Sequence, residues 1–130
     1  RMHAYQDGNF KELKIQKKLT WAQLLSILGT MFLHPTPEEY FSKCMNEYLN
    51  DNGLADARLE MPRAHAVARS QINIRALHSI KMQMRQNDWI IQSGRDDRQR
   101  MLWQLTPKGQ KLLESNLLDN NRVFQFNSSY

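Results

Sequence analysis

The chain has 130 residues, 41% of them apolar, with 18 Lys and Arg against 13 Asp and Glu for a net charge of +5. That length fits one domain with one core and excludes a large barrel enzyme. The longest apolar run, Leu24 to Leu33, is too short to span a bilayer and is interrupted by Ser26, Gly29 and Thr30.

A single cysteine, Cys44, rules out an intrachain disulfide and a Cys-rich zinc site. With no signal-peptide pattern at the start, a cytoplasmic protein is expected. Arg1 precedes Met2, so Arg1 is read as an added residue or the chain as a piece of a longer one.

Charge is unevenly spread. Residues 62–111 hold ten basic and three acidic residues, a net of +7, whereas 34–61 carry a net of −4. One segment is thus more basic than the whole chain. A polyanion partner, most simply nucleic acid, fits that asymmetry; a solvated basic face is the plainer explanation.

In chain order, residues 1–18 read as a lead-in, with a short helical turn over Lys11 to Lys18. Thr20 caps a helix whose apolar positions include Trp21, Leu24, Leu25, Leu28 and Phe32, and His34-Pro35 ends it. Thr36-Pro37-Glu38-Glu39 has the composition of a second helix start, followed by a stripe of Tyr40, Phe41, Cys44, Met45, Tyr48 and Leu49. Asn52-Gly53 predicts a left-handed stop. This helical pair, residues 19–53, carries more apolar surface than one small domain easily buries, which predicts a homodimer interface.

Residues 54–61 read as a connection and Arg63 to Arg69 as a short helix. After a turn at Ser70-Gln71-Ile72, Asn73 caps a helix over 74–86 with Ile74, Leu77, Ile80 and Met84 inward. Arg75, His78, Ser79, Met82 and Arg85 take the opposite face. The period then changes to that of a β-hairpin: Trp89-Ile90-Ile91, a turn at Gly94 to Asp97, and alternation over Met101, Trp103 and Leu105. Thr106-Pro107 starts a further helix, and 119–130 read as a tail. The expected fold is mainly α with a small β-hairpin: one domain over 1–130, a winged helix-turn-helix at 62–114 with additional N-terminal helices.

A family resemblance supports that order. Asp97-Arg98, Leu105-Thr106-Pro107-Lys108-Gly109 and Leu112-Leu113 resemble the wing and following helix of the MarR (multiple antibiotic resistance regulator) family, and Trp89-Ile90 sits at that family's strand start. The family's usual wing arginine falls on Gln99 here, between Arg98 and Arg100. The resemblance implies sequence-specific binding of double-stranded DNA by a homodimer, without a cofactor.

In that frame the 74–86 helix reads the major groove and the 94–100 hairpin contacts the flank. The candidate DNA-binding residues are Gln71, Asn73, Arg75, His78 and Ser79 on the helix side, and Arg95, Arg98 and Arg100 on the wing. The plainer readings are a solvated helix face, a cap at Asn73 and an exposed hairpin tip.

Cys44 is read as a buried inert thiol. The four histidines show no metal-binding pair. Trp21, Tyr40, Phe41 and Tyr48 are read as core or subunit interface in preference to an effector pocket. No catalytic motif is present, so an enzyme is not expected. A transcriptional regulator is the leading expectation. The alternatives are a plasmid or phage replication or partition factor, and a winged-helix protein–protein interaction module.

Overall fold

Residues 2–13 form a β-hairpin rather than a loose lead-in. The computed structural model describes residues 1–115 and 123–126. Strands β1 (Met2–Gln6) and β2 (Asn9–Leu13) pair antiparallel, from Met2 opposite Leu13 to Gln6 opposite Asn9. Asp7 and Gly8 make the two-residue loop, both at positive φ (50° and 82°). Asp-Gly suits this turn because its backbone twist matches that of the strands. Met2, Ala4 and Leu13 face the interior and are buried.

β5 (Ala66–Ala68) is the third strand of this sheet, pairing antiparallel with β1 in the order β2-β1-β5. The expected short helix over Arg63 to Arg69 is therefore not formed. Alanine is a strong helix former, but a helix this short is marginal on propensity alone, and β1 would otherwise have an unpaired edge there.

The N-terminal strands lead through β3 (Lys17–Thr20), which pairs with β8 (Val123–Phe126), into α1 (Trp21–Gly29). Val123 to Phe126 are thus strand where a tail was expected; residues 119–122 and 127–130 of that tail lie outside the described residues. Thr20 closes a capping box with Gln23: its hydroxyl accepts from the Gln23 backbone N–H at 3.1 Å, and the Gln23 side-chain Oε1 accepts from the Thr20 N–H at 2.8 Å. A 3-10 turn at Met31–Leu33 follows.

Thr36-Pro37 is not a helix start but a two-residue strand, β4. The Thr36 hydroxyl donates to the Met31 and His34 carbonyls, so it is not available as a cap. α2 begins at Tyr40 and runs to Asn52 (Tyr40–Asn52). Gly53 ends it at φ −93°, not in the left-handed region. Glycine is required there by space: a Cβ would lie 2.5 Å from the Leu49 carbonyl oxygen and 2.6 Å from the Met2 methyl. The expected connection over 54–61 holds a helix, α3 (Leu54–Glu60).

Next come α4 (Ile74–Gln86), the hairpin β6 (Ile90–Arg95) and β7 (Met101–Leu105), and α5 (Pro107–Ser115). β4 joins the hairpin to give the antiparallel order β4-β7-β6. Five α-helices and eight strands among the described residues make this an α+β protein. The expectation of a mainly α fold with one small hairpin and additional N-terminal helices is overturned by the strands at both ends of the chain and at β5.

The core lies where α1, α2 and the β4-β7-β6 sheet meet. Phe32 stacks on Phe41 at 4.2 Å, and Trp103 meets Phe41 edge-on at 5.7 Å. Trp21 meets Trp89 edge-on at 5.9 Å. Trp21, Leu24, Leu25, Leu28, Phe32, Phe41 and Met45 are all buried within a single chain. Of the other apolar residues of 20–50 that argued for a dimer, Met31 is exposed and Tyr40 and Tyr48 are half-buried. No helix among the described residues is long and apolar enough to cross a membrane.

Candidate nucleic-acid interface

α4 is held at its N-terminus by two kinds of contact. Its own cap is Asn73, whose side-chain oxygen accepts from the Ala76 N–H at 3.1 Å. From the other side, α2 supplies two acceptors one turn apart. Asn46 takes the Ile72 N–H at 2.8 Å, and Asn50 takes the Ser70 N–H at 2.9 Å. The main chain entering α4 is thus fixed by α2. Gln71 is pinned through its backbone, which exchanges hydrogen bonds with Arg1. Its side chain stays exposed.

Ile80 and Met84 anchor α4 in the core. Lys81 turns inward: it bonds Glu38 at 3.1 Å and lies 5.4 Å over the Phe41 ring. The outer face carries Arg75, His78 and Arg85, all exposed. Among the described residues, none of the three side chains has a hydrogen-bond or ion-pair partner. Ser79 is half-buried and accepts from Gln83 at 3.3 Å, so its hydroxyl serves its own helix. Ile74, expected inward, is 84% exposed beside Arg75. A groove of about 360 Å³ runs past this end of the helix, lined by Arg1, Gln71, Ile72, Asn73, Ile74 and Arg75.

The hairpin tip gives its three arginines different tasks. Asp96 is the hub. Its carboxylate accepts from the N–H groups of Arg98 (2.9 Å) and Arg100 (2.8 Å) and from the Arg100 guanidinium (2.7 Å). These donors, the Arg100 N–H foremost, hold the Asp96 carboxyl below its ordinary pKa of 3.8. A second nitrogen of Arg100 reaches Glu39, just before α2, at 2.5 Å. Arg95 donates to the Gln99 carbonyl at 2.7 Å. Gln99 itself sits at φ 62°, and Gly94 at φ 118° accompanies a bulge between Gln92 and Gly94. Arg95 and Arg100 therefore build the tip, while the Arg98 side chain is exposed and, among the described residues, unpartnered.

The following turn ties the hairpin to α5. Thr106 accepts from the Gly109 N–H at 3.0 Å as a helix cap, and its own N–H donates to the Trp89 carbonyl at 2.8 Å. A Cβ at Gly109 would lie 2.3 Å from that carbonyl oxygen. This is why a threonine and a glycine stand three apart after the hairpin.

The expected site residues thus form two groups on separate elements. Gln71, Asn73, Arg75, His78 and Ser79 lie along the start of α4, and Arg95, Arg98 and Arg100 along the β6–β7 turn. Arg75, His78 and Arg98 are free to meet a ligand; Asn73, Ser79, Arg95 and Arg100 are engaged locally. Sequence reasoning missed the supporting roles of Asn46, Asn50, Glu38 and Glu39. A pair of asparagines at i and i+4 on the polar side of an amphipathic helix was the available signal.

Cys44 is buried, and burial, reinforced by Glu47, pushes its thiol pKa above the ordinary 9.0. No group of three or more His, Cys, Asp or Glu side chains among the described residues could hold a metal ion. Comparison of the chain with family profiles, characterised proteins and solved structures finds no match.

Proposed function

We propose that this chain binds double-stranded DNA as a transcriptional regulator, with α4 in the major groove and Arg98 on the flanking backbone. The observation that carries this reading is how the cations are divided. Arg1, Lys17, Arg63, Lys81 and Arg100 are each paired with an acid. Arg75, His78, Arg85 and Arg98 remain exposed and unpaired among the described residues and gather on one helix face and one hairpin tip, whereas other exposed cations without an acid partner, among them Lys11, Lys14, Lys18, Lys43, Lys108 and Lys111, lie elsewhere. A helix fits the major groove, and its N-terminal residues meet base edges. Ile74, beside Arg75, suits apolar contact with a thymine methyl. The Leu-Thr-x-x-Gly resemblance after the wing agrees with the same arrangement.

The regulator would act as a homodimer, for which Met31, Tyr40 and Tyr48 leave apolar surface open on the 20–50 segment. Ile74 also favours a second reading, an interaction module docking a protein through the outer face of α4.

Titration of labelled duplex against salt separates the two. Neutralising about five phosphates gives a slope of log affinity on log salt near −4.5. Arg75→Ala should relax sequence preference by about 1–3 kcal/mol, whereas Arg98→Ala should weaken all duplexes alike and lower the slope by about one. Absence of duplex binding at low salt, or identical behaviour of the two variants, overturns the reading.

A further inference from the structure

The outer face of the β2-β1-β5 sheet carries a cluster that duplex binding does not use. Inward residues of the hairpin are Met2, Ala4 and Leu13; outward lie His3 and Tyr5 on β1 and Phe10 on β2. Phe10 is 59% exposed. It stacks on His3 at 4.7 Å with the rings 14° apart, and Tyr5 tilts against it at 5.9 Å. On the other flank of β1, His3 and Tyr5 face Ala68 and Ala66, which are too small to cover them. The rings therefore present their remaining faces to solvent at the middle of a sheet.

Arg1 and Arg63 flank the cluster, each paired with an acid of the hairpin. Arg63 pairs with Asp7 at 3.0 Å and Arg1 with Glu12 at 2.7 Å, but all four side chains are about half exposed or more. Exposed pairs of this kind contribute little, so a phosphate can replace the carboxylate.

We propose that this sheet face binds a single strand of nucleic acid, with bases stacked on Phe10 and Tyr5 and phosphates on Arg1 and Arg63. Bases in a duplex hide their faces from each other, so an aromatic platform selects unpaired ones. The rings are sequence-tolerant partners, since every base has a π-face. Three partly exposed rings fall well short of the roughly 800 Å² per partner that a stable protein interface needs. The proposal does not depend on the duplex reading.

The test is fluorescence anisotropy with three labelled 12-mers: oligothymidylate, oligouridylate and an abasic strand with the same phosphates. Binding of either base-bearing strand at least tenfold more tightly than the abasic one is expected. Phe10→Ala should weaken that binding by about fivefold to a hundredfold, the worth of one base–aromatic stack. Phe10→Leu, which keeps an apolar cover on the hairpin, should weaken it similarly, and Phe10→Trp should retain it. Duplex affinity should be unchanged in Phe10→Leu. Three results would each overturn the proposal: equal binding of the abasic strand, unaltered binding by Phe10→Leu, or self-association of the wild type that Phe10→Leu abolishes.

Discussion

Replacing Gly109 with alanine sets two effects of opposite sign against each other. Gly109 lies in the first turn of α5, and helix propensity alone would make Gly109→Ala stabilising by about 1 kcal/mol. Packing argues the reverse. The new Cβ would stand 2.3 Å from the Trp89 carbonyl oxygen, 3.0 Å from its carbon and 2.9 Å from a Leu105 methyl. Two of those atoms are backbone, so relief requires α5 to move away from the start of the hairpin. Overpacking of this kind costs about 1–3 kcal/mol. The movement also stretches the Thr106 N–H to Trp89 bond, now 2.8 Å, at about 1 kcal/mol more. The net is destabilisation of about 1–3 kcal/mol, or a fall in melting temperature of roughly 4–12 °C. Urea unfolding followed by tryptophan fluorescence measures it, because Trp89 and Trp103 are both buried. A variant as stable as wild type, or more stable, would refute the packing argument and leave the Thr-x-x-Gly spacing unexplained.

Three further outcomes follow from the contacts around α2, the tip and the core. Asn46→Ala leaves the Ile72 N–H without its acceptor and should cost about 1–3 kcal/mol in urea unfolding, while Asn46→Asp, which keeps an acceptor, should cost clearly less. Because the Asp96 pKa is depressed on folding, the tip's stabilisation is complete above pH 3.8 and is lost as pH falls below that value; amide shifts of Arg98 and Arg100 should remain native at pH 3.8, and a midpoint at or above it would contradict the assigned bonds. Native Cys44 should react with a thiol reagent roughly tenfold or more slowly than the urea-unfolded chain, since burial disfavours the thiolate; equal rates would show an accessible thiol.

Much of the second half of the chain was legible because its signals are local. Asn73 and Thr106-Pro107 mark helix starts, and the alternation over Met101 to Leu105 marks a strand; each is where the structure has it. Thr20 and Gln23 did the same for α1. The N-terminal hairpin was legible in principle, since Asp7-Gly8 between alternating residues is a strong turn signal that was passed over in favour of the polar composition. β5 was not legible: Ala66–Ala68 becomes a strand only because β1 lies beside it, some sixty residues earlier in the sequence. The site divides the same way. Exposure of Arg75, His78 and Arg98 follows from helix period and turn position. The engagement of Arg100 does so only in part, because beside Asp96, four residues away, it also uses Glu39, 61 residues away. Ile74 was misplaced because period alone gives a position's angle on the helix, not how far the core extends toward its first turn.

The pairing of β3 with β8 has a consequence for how the chain comes to be folded. Lys17 lies opposite Phe126, so closing that ladder brings together residues more than a hundred positions apart. β1 waits in the same way for β5. Loop closure over such distances is costly in entropy before any contact repays it, and proteins rich in non-local pairings fold in milliseconds to seconds rather than microseconds. During synthesis the N-terminal strands emerge first but cannot complete their sheets until the far segments follow. The unpaired edges of β1 and β3 are therefore open to solvent, and to any chaperone, for much of the time the ribosome takes to make the chain.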